Sequence, residues 1–78
     1  MKSAIVHQYF KKQLEGFIIL VQLDPIHFEG VELMVSPTGD IRKTARVYDE
    51  LIYEDLKEDG FIESGALEFN LYLKGLNR

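Results

Sequence analysis

The residue pattern predicts an α+β fold: a small, mostly antiparallel sheet of about four strands with one or two helices packed on one face. Three observations carry that expectation. Residues 17–23 form an unbroken β-prone run, residues 31–47 read as a hairpin around a Pro-Thr-Gly turn, and residues 49–59 repeat their apolar side chains at helical spacing. In chain order the expected elements are α (or β), β, β, β, α, β, all within a single domain spanning residues 1–78.

The first element is open between two periods. Ile5, Val6, Tyr9, Phe10 and Leu14 cover one half of a helix, with Ser3 as N-cap and Gly16 just past the end, so residues 4–15 are read first as a helix. The β-rich composition of residues 5–10 keeps a strand with a following hairpin loop as the alternative.

Phe17 to Leu23 is the clearest strand. Phe17, Ile19, Val21 and Leu23 point one way and Ile18 and Leu20 the other, so both faces are apolar. At a sheet edge this uncharged run would invite aggregation, which places it mid-sheet, and Asp24-Pro25 ends it. In the hairpin that follows, pairing Ser36 with Asp40 sets Val35 opposite Ile41, Leu33 opposite Lys43 and Val31 opposite Ala45. Met34 then meets Arg42 on the other face, with Glu32 in reach of Arg46.

Asp49 to Asp59 is expected to be helical, with Leu51, Ile52 and Leu56 inward and Gly60 as terminator. Residues 67–74 alternate Leu67, Phe69, Leu71 and Leu73 against Glu68, Asn70, Tyr72 and Lys74, the period of a half-buried strand. A terminal helix beginning near Ser64 or Gly65 is the competing reading.

Composition narrows the function classes. The chain of 78 residues is 46% hydrophobic with a net charge of −4, unlike a disordered acidic tail. It has no cysteine, which excludes a disulfide scaffold, a thiol nucleophile and thiolate metal ligation. The longest apolar run is five residues, too short for a signal h-region or a spanning helix, so a cytoplasmic location without membrane contact is expected.

Ser3, Ser36 and Ser64 fall at an expected cap, turn and loop, outside any nucleophile-elbow pattern. Asp24, His27 and Glu29 are the best grouping for a small-ligand or metal site, although their spacing is not that of a zinc motif. Asp55, Asp59, Gly60, Ile62 and Glu63 partly match a calcium loop, but Lys57 and Ala66 occupy two ligand positions. No pattern calls for a cofactor or a resident metal.

Two charged features remain. Arg42, Lys43 and Arg46 form a basic strip of the kind nucleic acid would use, set against a sequence pI near 5.0. Residues 49–68 carry eight acids and Lys57 alone, a local charge of −7 beside +1 for residues 1–48 and +2 for residues 69–78. The expected role is therefore non-enzymatic: a protein-interaction or accessory domain whose acidic helix engages a basic partner. Tyr48 and Tyr53 would be its aromatic anchors, and Glu54, Asp55 and Glu58 its steering charges. A homodimer is a further expectation, because helices confined to one face would leave Ile18, Leu20 and Met34 uncovered on the other.

Overall fold

The computed structural model describes residues 6–76. Five strands and two helices follow one another as β1 (Gln8–Leu14), β2 (Phe17–Leu23), β3 (Glu29–Val35), β4 (Ile41–Val47), α1 (Ile52–Glu58), β5 (Ile62–Ser64) and α2 (Ala66–Leu76). The strands form one antiparallel sheet in the order β4-β3-β2-β1-β5. The α+β class holds, with one strand more than the sequence suggested, and β2 lies mid-sheet where its two apolar faces require it.

Residues 8–14 are a strand rather than a helix. Glu15 and Gly16 both take positive φ, 49° and 88°, as a two-residue primed turn demands, and the turn sets Leu14 opposite Phe17. Tyr9 then packs on one face of the sheet and Phe10 on the other. Their i, i+1 adjacency fits a helix stripe loosely and a strand inside a two-faced sheet closely. The proposed cap at Ser3 lies outside the described residues.

Residues 66–76 are a helix rather than a strand. The alternation of Leu67, Phe69, Leu71 and Leu73 is equally two i, i+4 pairs on opposite sides of a helix. Phe69, 1% exposed, packs inward with Leu73 and Tyr72, while Leu67 and Leu71 are left in solvent.

The helices lie on opposite faces rather than on one, so the sheet carries two small cores. Leu20, Leu33, Val35 and Phe69 make the core beneath α2, flanked by Ile18 and Val31. Val21, Leu23, Ile52 and Leu56 make the core beneath α1, flanked by Phe10, Phe28, Tyr48 and Phe61. Ile18 and Leu20 are thus covered from within the chain, and Met34 lies on the other face. Lys11 fastens α2 to β1 through Glu68 at 2.9 Å.

The hairpin has the expected register, including Val35 with Ile41 and Leu33 with Lys43. Its turn is closed by the Ser36 N–H bonding the Asp40 carbonyl at 2.8 Å, with Gly39 at φ 94°. Helix α1 starts later than expected, at Ile52. The Asp49 side chain accepts the Leu51 N–H at 2.9 Å instead of opening the helix itself. At its other end the Gly60 N–H bonds Lys57 O and the Phe61 N–H bonds Leu56 O, the paired bonds of a Schellman terminus, with Gly60 at φ 88°.

Candidate functional site

The outward side of α1 is a surface of exposed carboxylates. With Ile52 and Leu56 buried against the sheet, a 100° step per residue turns Glu54 and Glu58 directly outward and Asp55 to one side. Asp49, Glu50 and Asp59 are exposed around the ends of the same helix, and Glu63 is exposed on β5. None of these seven carboxylates has an ion-pair partner among the described residues. Leu51 stands 52% exposed beside them.

The two tyrosines differ. Tyr53 flanks the acidic side and is 38% exposed, held by its hydroxyl donating to Gln8 Oε1 at 2.6 Å. Edge contacts with Phe10 and Phe28, both at 6.5 Å, fix its ring. Tyr48 precedes the helix and is half-buried. Its N–H bonds the Phe28 carbonyl at 2.7 Å, and its ring fills the space where Gly30 lacks a side chain. Burial, with help from Glu32 and against Arg46, pushes the Tyr48 hydroxyl above its ordinary pKa. Glu54, Asp55, Glu58 and Tyr53 therefore share one surface, and Tyr48 belongs mainly to the core beside it.

Arg42, Lys43 and Arg46 lie on β4, an edge of the sheet. Strand alternation sends Arg42 and Arg46 to the α1 face and Lys43 to the α2 face, so the strip is split between two faces. Arg46 is already engaged, donating to Glu32 Oε1 at 3.0 Å as the register allows. Arg42 and Lys43 have no carboxylate partner among the described residues.

The 24–29 loop is built around Asp24, which is 7% exposed. Its Oδ1 accepts the Ile26 N–H at 2.8 Å and the His27 N–H at 3.1 Å, while Oδ2 meets His27 Nδ1 at 2.8 Å. The His27 hydrogen bond holds the Asp24 carboxyl below its usual pKa, and Asp24 in turn raises that of His27. An open groove of about 400 Å³ runs past this loop over Gln22, Val31 and Ala45. Among the described residues no group of three or more His, Asp or Glu side chains is placed to hold a metal ion.

The other sequence candidates are absorbed by structure. Asp55 and Asp59 belong to α1 and its cap, and Glu63 to β5, so the calcium-like spacing does not form an ion-encircling loop. Ser36 Oγ lies 2.9 Å from Thr38 Oγ1 and accepts the Asp40 N–H within its turn. Ser64 Oγ is buried without a hydrogen-bond partner among the described residues. No helix among the described residues is long and apolar enough to cross a membrane.

Comparison with protein families, with curated proteins and with solved structures finds no match to this chain.

The density of Arg and Lys in residues 41–47 is the pattern that edge strands favour, and β4 is an edge of the sheet.

Proposed function

We propose that this protein is a non-enzymatic interaction module that docks a basic protein surface on the outward side of α1. The observation that supports the reading is the set of exposed carboxylates of Glu54, Asp55 and Glu58, which no cation among the described residues neutralises. Leaving like charges at i and i+4 costs a helix a few tenths of a kcal/mol, which a basic partner recovers on binding. Leu51 and Tyr53 supply apolar and aromatic surface at its margin, rigid because Tyr53 is tied to Gln8. The mechanism is charge-steered encounter followed by desolvation around Tyr53.

Affinity capture from a lysate at low salt tests the proposal. Combined replacement Glu54→Lys, Asp55→Lys and Glu58→Lys is expected to remove the basic proteins that the unaltered chain retains. Capture of the same proteins in the same amounts by both would overturn it.

A further inference from the structure

We propose a second binding surface, the free edge of β4, whose occupant is an extended acidic peptide segment added as a sixth strand. In the β3–β4 ladder the Ser36 N–H bonds the Asp40 carbonyl and the Tyr48 N–H bonds the Phe28 carbonyl. Mutually bonded pairs therefore fall on the even-numbered residues, and Arg42, Thr44 and Arg46 spend their backbone groups on β3. The N–H and C=O groups of Ile41, Lys43, Ala45 and Val47 turn the other way, out of the sheet. Among the described residues no further strand lies on that side, since β4 ends the sheet. Four residues with outward groups provide a ladder long enough for a seven-residue segment.

The side chains along this edge specify the occupant. Arg42 and Arg46 stand on the α1 face with Thr44 between them, and Lys43 stands on the α2 face beside Ala45 and the 82% exposed Val47. A strand laid antiparallel to β4 finds its best match with carboxylates opposite Arg46, Lys43 and Arg42 and apolar residues opposite Val47, Ala45 and Ile41. A second copy of β4 is a poor occupant. Two-fold pairing that engages all four outward residues centres on Thr44 and sets Arg42 against the partner copy's Arg46 twice over, which is repulsive. The other edge, β5, is three residues long and offers outward backbone only at Glu63.

The probe is the blocked heptapeptide Val-Glu-Val-Thr-Glu-Glu-Val, titrated into isotopically labelled protein. The largest amide shifts are expected at Ile41, Lys43, Ala45 and Val47, whose N–H groups gain partners. Arg42→Glu with Lys43→Glu is expected to weaken binding about tenfold or more. Ala45→Pro removes one outward N–H without touching the β3 ladder and is expected to abolish the shifts. A peptide of the same sequence, N-methylated at alternate residues on its pairing side, keeps the charges and loses the ladder, so it should not bind. Equal binding of that peptide, or shifts centred away from β4, would overturn the proposal. Displacement of the heptapeptide by an equimolar single-stranded oligonucleotide would overturn it in favour of nucleic acid, and concentration-dependent shifts at β4 without peptide would do so in favour of self-pairing.

Discussion

Leu20 and Val21 are adjacent in the chain and belong to different cores: Leu20 is fully buried against Phe69 and its neighbours, Val21 against Ile52 and Leu56. Strand alternation produces this split, and α1 and α2 complete it from opposite faces. Substitutions in the two cores should therefore behave independently. Val35→Ala beneath α2 is expected to cost about 2 kcal/mol and Ile52→Val beneath α1 about 1 kcal/mol. Urea unfolding of the double variant should return their sum to within about 0.5 kcal/mol. Ile52→Val combined with Leu56→Ala, in one core, should depart from additivity. Strong coupling between the Val35 and Ile52 changes would mean that the sheet does not insulate the cores.

Gly30 is a packing requirement. A Cβ there would collide with the Gln22 backbone carbonyl and approach Tyr48 Cε2 to 2.9 Å. Gly30→Ala is expected to destabilise by about 1–3 kcal/mol, the range for overpacking a core. Tyr48→Ala relieves only the contact with the ring, so the double variant should stay less stable than Tyr48→Ala alone. A Gly30→Ala melting temperature equal to that of the unaltered protein would contradict the packing described.

The Asp24–His27 pair gives stability a pH dependence of known sign. His27 has its pKa raised above 6.5 in the folded state by Asp24, so its contribution is complete below 6.5 and is lost as pH rises through the raised value. Asp24 has its pKa lowered below 3.8, so its contribution is complete above 3.8 and is lost as pH falls through the lowered value. The two describe one interaction, present between those limits. The difference in melting temperature between the unaltered protein and His27→Ala should be largest between these two ordinary values and shrink on either side. A difference that does not change with pH would contradict the ion pair.

The β2 strand, the β3–β4 register and the Gly60 stop were legible in the sequence because each rests on a local rule that tertiary packing did not overrule. Residues 8–14 and 66–76 were not, because each carries two periods at once. Tyr9 and Phe10 serve two faces of a sheet, a role that copies part of a helix stripe until both faces are known to be covered. Leu67 and Leu71 are apolar although they point to solvent, which turns a one-sided helix into an apparent alternation. The acidic surface was legible as composition, and its placement followed once Ile52 and Leu56 were inward. The half-burial of Tyr48 depends on Gly30, 18 residues earlier in the chain and brought beside it by the β3–β4 ladder, a relationship no short window contains.

The acidic side of α1 as a docking surface is the claim on which the functional reading rests, and amide shift mapping tests it most directly. Labelled protein is titrated with the most enriched basic protein from the capture experiment. Shifts and line broadening centred on Leu51, Tyr53, Glu54, Asp55 and Glu58, fading as salt is raised, are the predicted result. A footprint that leaves α1 untouched, or one that salt does not weaken, would contradict it.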